Sequence, residues 1–225
     1  MKTQIPWLRV VVEGLVIVAS ILFAFGIDAG WDAREERGRR AVLMEDLQAE
    51  LVRNAGDLSV ALAEQELRAL RIGILLNELT PQAKGLSADS VRALQASLAG
   101  VVSYDPSLGV LDLLIQSGDL ALLEDRELRA RLAGLASVSE DYLRNQVFLV
   151  QSYLNPEAIL GTGSILFDYS DVISFDGTLT TASSSVQLNA TKFYAFDRFM
   201  TELMVTQGKA LLAEFEDLIG LMEPG

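Results

Sequence analysis

The chain has 225 residues, of which 50% are hydrophobic, and its formal net charge is -13. It contains no Cys and no His, which excludes disulfides, Cys nucleophiles, Ser-His-Asp triads, the usual zinc sites and His-ligated haem. The acidic balance also argues against nucleic acid as a partner, because such binding depends on Lys and Arg neutralising phosphates.

An apolar run near the N-terminus predicts a transmembrane anchor. Residues 10–27 read VVVEGLVIVASILFAFGI and contain a single charge, Glu13. As a helix this run rises about 27 Å, close to the thickness of the hydrocarbon core of a bilayer. The only two tryptophans, Trp7 and Trp31, flank the run where the two membrane interfaces would lie. A cleaved signal peptide is the alternative, but Glu13 interrupts its apolar region.

Three residues of this anchor are candidates for contacts inside the membrane. Glu13 either extends to the lipid headgroups or meets a polar group on a neighbouring transmembrane helix. Gly26 and Gly30 form a GxxxG pattern, which favours close helix packing. The count of Lys and Arg on the two sides favours a cytoplasmic C-terminal domain. The position of Arg9 directly at the apolar boundary favours a periplasmic one, and we expect the latter.

The remaining residues predict an acidic helical bundle. Leucines spaced three and four apart indicate a long helix up to residue 79, with a break at 54–56. Further helices are predicted at 87–102, 106–116, 124–155 and 191–222. We therefore expect two regions, with residues 1–40 as the anchor and juxtamembrane helix and residues 41–225 as the bundle. The predicted fold class is all-α: one N-terminal transmembrane helix followed by an antiparallel helical bundle with one irregular or short β-hairpin insertion.

The insertion covers residues 161–190, which are rich in Ser, Thr and Gly and poor in Leu. The dipeptide Asp176-Gly177 is typical of a hairpin turn, so the segment is either a short hairpin or a loop ordered by a partner. The candidate partner-docking residues within it are Asp168, Tyr169, Asp171 and Phe175.

No arrangement of residues predicts catalysis. Carboxylates at helical spacing, such as Asp46 with Glu50, are more typical of a solvated helix face than of a metal or acid–base site. A di-iron bundle site is excluded because no Glu-x-x-His pair can be formed. We therefore predict no enzyme activity, no cofactor, and no catalytic, cofactor-binding or metal-binding residues.

Two stretches carry a family resemblance. The first is the apolar segment ending at Ala24-Phe25, then Asp28, Trp31, an Arg/Glu-rich juncture, and Leu47, Glu50-Leu51 and Asn54. The second is SGDLALLEDRELRARLAGL at 117–135, which follows Tyr104-Asp105-Pro106. Together they resemble an uncharacterised family of bacterial single-span membrane proteins with an N-terminal anchor and a helical domain. The resemblance implies an anchored helical domain in the inner (cytoplasmic) membrane and no known activity.

These observations lead to one functional hypothesis and one alternative. The hypothesis is a non-catalytic, membrane-anchored accessory or scaffold subunit that stabilises a larger bacterial membrane-protein complex of respiration, photosynthesis or transport. Its expected partners are other membrane-protein subunits and the lipid bilayer, without nucleic acid. The alternative is a membrane-anchored sensor or signalling domain, in which the bundle transmits a change through its first helix.

Overall fold

The described part of the chain is mostly helical. The computed structural model describes residues 7–80, 83, 85–98, 100, 102–123, 125–154 and 184–222. These ranges contain no strand, so the all-α prediction is confirmed for them. The elements are α1 (Trp7–Glu78), α2 (Ala88–Ser97), α3 (Gly109–Ser117), a 3-10 turn (Asp119–Leu122), α4 (Arg126–Leu154) and α5 (Ser184–Met222).

The chain divides into two units, Met1–Leu47 and Gln48–Gly225. In the first unit, the predicted transmembrane helix is wrong: across the described residues, no helix combines the length and the apolar character needed to cross a membrane. The uncharged run between Glu13 and Asp28 is 14 residues long and rises about 21 Å as a helix. A hydrocarbon core is about 30 Å thick. The prediction reached that length only by including Glu13 and the residues before it.

The second unit is built on three long helices. Arg131 of α4 contacts Glu214 of α5, and Asn145 further along α4 contacts Gln207 earlier on α5. These two helices therefore run antiparallel, as predicted for the bundle. Helix α1 also runs antiparallel to α5, because Glu66 pairs with Lys209 and Arg68, further along α1, pairs with Asp197, earlier on α5.

Leucines supply most of the core of this unit. Fully buried side chains come from α1, α3, α4 and α5, and removing them from water is the main source of stability for such a bundle. They include Leu51, Leu58, Leu75, Leu111, Leu132, Leu135, Leu149, Phe215 and Leu218. A neighbouring cluster joins the end of α1 to α2 and the start of α5 through Ile72, Leu75, Val91, Leu98, Ala190, Phe193 and Tyr194.

Several predicted helix boundaries are corrected by the structure. The break expected at 54–56 is absent, because the Asn54 amide group bonds to the Glu50 carbonyl within the helix and to Ser107 outside it. Helix α2 ends at Ser97 rather than near 102, since the following carbonyls of Leu98 and Gly100 accept bonds from Arg68. Most of the predicted insertion, 161–183, lies outside the described residues. Its last part, 184–190, is the beginning of α5.

Gly208 of α5 lies close to both α1 and α4. A Cβ at this position would lie 2.5 Å from Leu62 Cδ2 of α1 and 3.0 Å from Tyr142 Cε2 of α4. Both neighbours are buried, which limits how far either can move aside. Replacing Gly208 by alanine is therefore expected to lower the free energy of unfolding by about 1–3 kcal/mol, the usual cost of overpacking a core.

The matched control for this substitution is Gly134→Ala on α4, where nothing lies within 4 Å of the added Cβ. That change is expected to be neutral or to stabilise by up to about 1 kcal/mol, because alanine favours a helix more than glycine does. Urea titration followed by circular dichroism measures both. Equal midpoints for the two variants would show that α5 can shift away from α1.

Candidate functional site

Five buried polar side chains lie along α1 within the second unit. Each of them contacts a connection between helices or another long helix, instead of solvent. The five are Glu50, Asn54, Gln65, Arg68 and Glu78, all at most 4% exposed. We refer to them as the polar row of α1.

Glu50, the first residue of the polar row, caps the N-terminus of α3. The Glu50 carboxylate accepts hydrogen bonds from the backbone N–H groups of Val110 at 2.8 Å and Leu111 at 3.1 Å. Helix α3 has no side-chain cap of its own, since its N-cap position is Leu108. Glu50 therefore supplies from another helix the acceptor that a Ser or Asp would normally provide locally. The prediction that Glu50 lies on a solvated face is wrong.

Asn54 fixes the segment just before α3. Its amide nitrogen donates to the Ser107 carbonyl at 2.7 Å, and its amide oxygen accepts from the Ser107 N–H at 2.9 Å. The Tyr104 hydroxyl lies 3.4 Å from the same amide oxygen. Across the connection, Gln146 of α4 accepts from the Tyr104 N–H and donates to the Tyr104 carbonyl. The Glu50, Asn54 and Tyr104-Asp105-Pro106 motifs of the sequence thus meet in one place.

Further along α1, Arg68 forms a buried ion pair. Its guanidinium contacts Asp197 of α5 at 3.0 Å, and the two side chains are 5% and 1% exposed. Arg68 also donates to the carbonyls of Leu98 and Gly100, while Thr201 donates to the Asp197 carboxylate. One arginine therefore links α1, α5 and the loop after α2, and burial keeps this pair from being screened by salt.

The last member of the polar row, Glu78, holds the loop that leads into α2. Its carboxylate accepts from the backbone N–H groups of Gly85 at 3.1 Å and Leu86 at 3.0 Å. Gly85 has a φ of 72°, a left-handed conformation that glycine adopts without strain. Glu78 therefore acts as Glu50 does near α3, because each carboxylate accepts hydrogen bonds from two consecutive backbone N–H groups of another segment.

The buried polar side chains of α1 and their partners stabilise the fold through hydrogen bonds and ion pairs. The buried carboxylates accept backbone N–H groups or pair with arginine. Burial raises the pKa of the Tyr104 phenol and that of Tyr142, so both stay neutral and able to donate hydrogen bonds. Among the described residues, no three carboxylates lie close enough together to hold a metal ion.

A groove of about 690 Å³ opens on the surface of the second unit. The end of α1 forms one wall, through Leu70, Gly73 and Ile74, and Arg198 and Glu202 of α5 form the other. Those two charged side chains pair with each other at 2.8 Å. Gly73 allows Arg198 to lie against α1, since a Cβ there would meet Arg198 Nη1 at 3.3 Å.

The predicted site residues are not brought together into one site. Glu13, Gly26, Gly30 and Trp31 are exposed on α1, and the two glycines have no neighbouring atoms within 4 Å of a built Cβ. Trp7 is the first residue of α1. The predicted docking residues Asp168, Tyr169, Asp171 and Phe175 lie outside the described part of the chain.

Large apolar side chains of the first unit are exposed around the whole helix. Residues 15–18 and 21–23 are consecutive on α1 and therefore cannot share one face. The exposed set consists of Leu15, Val16, Ile17, Val18, Ile21, Leu22, Phe23, Phe25 and Ile27. A helix that is apolar on every side is normally covered on every side.

The polar row was missed by the sequence reasoning apart from Glu50 and Asn54. A signal for it did exist, because Asn54, Gln65 and Arg68 stand in register with the buried leucines of α1, at spacings of three and four. Polar residues at apolar positions of a helix indicate a specific partner. Asp197, the partner of Arg68, has no comparable signal, since the two are 129 positions apart.

Comparisons with known proteins leave the chain without an assigned family. No family model matches the sequence, no curated protein is significantly similar to it, and no solved structure resembles it significantly.

Proposed function

We propose that this chain is a non-catalytic accessory or scaffold protein of a larger membrane-protein assembly. The observation that carries the proposal is the ring of exposed apolar side chains between residues 15 and 27. Contiguous exposed apolar surface of this kind marks a site where another molecule docks. An apolar environment on all sides is what the interior of such an assembly provides, and the helix need not cross a bilayer to reach it.

The internal chemistry of the second unit supports the same proposal. Its buried carboxylates Glu50, Glu78 and Asp197 hold loops and helices in place, as described above. An enzyme relying on carboxylates would instead need several of them with raised pKa values facing one cleft. The groove contains Glu78 and Glu202, of which the first is bonded to loop amides and the second to Arg198.

The test is isolation of the native protein from its own cells in mild detergent, followed by identification of what accompanies it. We expect a fixed set of membrane-protein subunits at constant ratio. A variant with Leu22→Asp in the apolar ring should lose those subunits, whereas Val147→Asp, an equally apolar and exposed position on α4, should keep them. A protein that purifies without companions in both forms contradicts the scaffold proposal and directs attention to the sensor alternative.

A further inference from the structure

The outward side of α1 in the second unit carries an apolar stripe. Val60 is 67% exposed and Leu70 61% exposed, and Leu67 and Ile74 are also exposed. Plotted at 3.6 residues per turn, these four side chains fall within an arc of about 80°. The stripe continues through Ala63 and Asn77, which are exposed as well. We call the six residues the outer stripe: Val60, Ala63, Leu67, Leu70, Ile74 and Asn77.

The outer stripe has the spacing of a coiled coil. Its members follow one another at intervals of 3, 4, 3, 4 and 3 residues, which is the a/d pattern of a heptad repeat. The buried stripe of the same helix, Leu58, Ala61, Gln65, Arg68, Ile72 and Leu75, has the same intervals and lies two residues earlier at each step. Two residues turn a helix by about 200°, so the two stripes lie on opposite faces. One face is packed inside the unit, and the other is exposed in the part of the chain that the structure describes.

The residue types of the outer stripe favour a pair of parallel helices. With Val60 at an a position, Leu67 and Ile74 also occupy a, and Leu70 occupies d. Two of the three a residues are β-branched and the central d residue is leucine, the combination that favours two parallel strands, while the outer d positions contain Ala63 and Asn77. No charged side chain interrupts the stripe.

The flanking charges match a second copy of the same helix. In this register Glu66 occupies a g position and Arg71 the e position of the following heptad. Residues at e and g form ion pairs across parallel coiled coils and decide which helices associate. A two-fold pair of α1 helices would place Glu66 of each copy beside Arg71 of the other, which gives two symmetric ion pairs. Within one copy Glu66 already contacts Lys209. In the dimer its carboxylate would therefore lie near two cations, Lys209 of the same copy and Arg71 of the other.

We propose that the outer stripe is a homodimer interface, in which α1 of one copy packs parallel and in register against α1 of a second copy. The proposal does not depend on the accessory role suggested above, since a dimer of this kind would serve a sensor equally well.

Disulfide cross-linking tests the proposal on the full chain in mild detergent. The chain contains no cysteine, so single substitutions give an unambiguous result. Val60→Cys, Leu67→Cys and Ile74→Cys should each form covalent dimers under mild oxidation, because a parallel pair places equal positions side by side. Val147→Cys is the control, since the exposure of this α4 side chain lies between that of Val60 and those of Leu67 and Ile74. It should stay monomeric.

Other cross-linking patterns overturn the proposal. Cross-links at Leu67 but not at Val60 and Ile74 indicate an antiparallel pair, in which only the middle of the stripe meets its own copy. Equal dimer yields at all four positions indicate random collision. Cross-linking in native membranes to a different polypeptide alone assigns the stripe to another partner.

Charge reversal provides the second test, read by sedimentation equilibrium. Arg71→Glu places like charges together at two symmetric points and should weaken dimerisation on the order of fivefold. The triple variant Glu66→Arg/Arg71→Glu/Lys209→Glu restores both pairs between the copies, keeps opposite charges at 66 and 209, and should recover most of that loss. An unchanged dissociation constant in the single variant, or no recovery in the triple one, contradicts the parallel register.

Discussion

Replacing Asp197 by alanine should lower the free energy of unfolding by about 3–5 kcal/mol, the cost of leaving a buried charge without its partner. Arg68 is 5% exposed on its side chain and would remain inside the bundle, where the loop carbonyls of Leu98 and Gly100 still accept from it but carry no full negative charge. Urea titration of the full chain in mild detergent, followed by circular dichroism, measures the change.

A neighbouring residue gives the control for this prediction. Arg198→Ala removes the adjacent ion pair with Glu202, whose side chains are about half exposed, and should cost at most about 1 kcal/mol. The double variant Arg68→Met/Asp197→Leu removes both buried charges together and should recover much of the loss. A similar cost for Asp197→Ala and Arg198→Ala would mean that water reaches Arg68 and that the ion pair is not buried in solution.

Replacing Glu50 by alanine should lower the free energy of unfolding by about 2–4 kcal/mol. The backbone N–H groups of Val110 and Leu111 would lose their only described acceptor at the start of α3, and each unsatisfied buried donor costs about 1–3 kcal/mol. Hydrogen exchange should show the loss of protection first in residues 109–117. Asp46→Ala, one turn earlier and exposed, is the control and should change stability by less than about 0.5 kcal/mol.

A second substitution distinguishes the loss of the α3 cap from a general loss of packing around Glu50. Leu108 occupies the N-cap position of α3 without making a side-chain cap bond. Adding Leu108→Asp to the Glu50→Ala variant supplies a local acceptor and should restore about 1 kcal/mol. If the double variant is no more stable than Glu50→Ala alone, Glu50 acts through packing rather than through the two N–H groups.

The helical character of the described chain could be predicted from the sequence, because Leu and Ala recur at spacings of three and four through almost every segment. Which side of α1 faces inward could not be predicted from the sequence. By spacing alone, Leu58 and Leu62 fit a helical apolar face, and so do Leu67, Leu70 and Ile74. The structure separates them, since Gln65 and Arg68 find buried partners on one side while Leu67 and Leu70 remain exposed on the other.

The transmembrane prediction counted one charged residue as part of the apolar run. Counting through Glu13 lengthened the apolar run to that of a bilayer, whereas the uncharged part begins only at Gly14. For the candidate site, Glu50, Asn54 and Tyr104 were recognised as motifs, but the 50 positions between Asn54 and Tyr104 concealed that these two side chains touch. Contacts of that sequence separation depend on how helices pack, and a local pattern contains no information about packing.

The dependence of α3 on Glu50 has a consequence for how the second unit folds. The first turn of α3 and the segment before it draw their hydrogen-bond partners from residues of α1 that lie 53 to 61 positions earlier. A fragment containing only residues 102–122 would therefore lack the groups that order its backbone. This stretch acquires its structure when it meets α1 and loses it when α1 separates, which makes folding of the unit cooperative and dependent on long-range contacts.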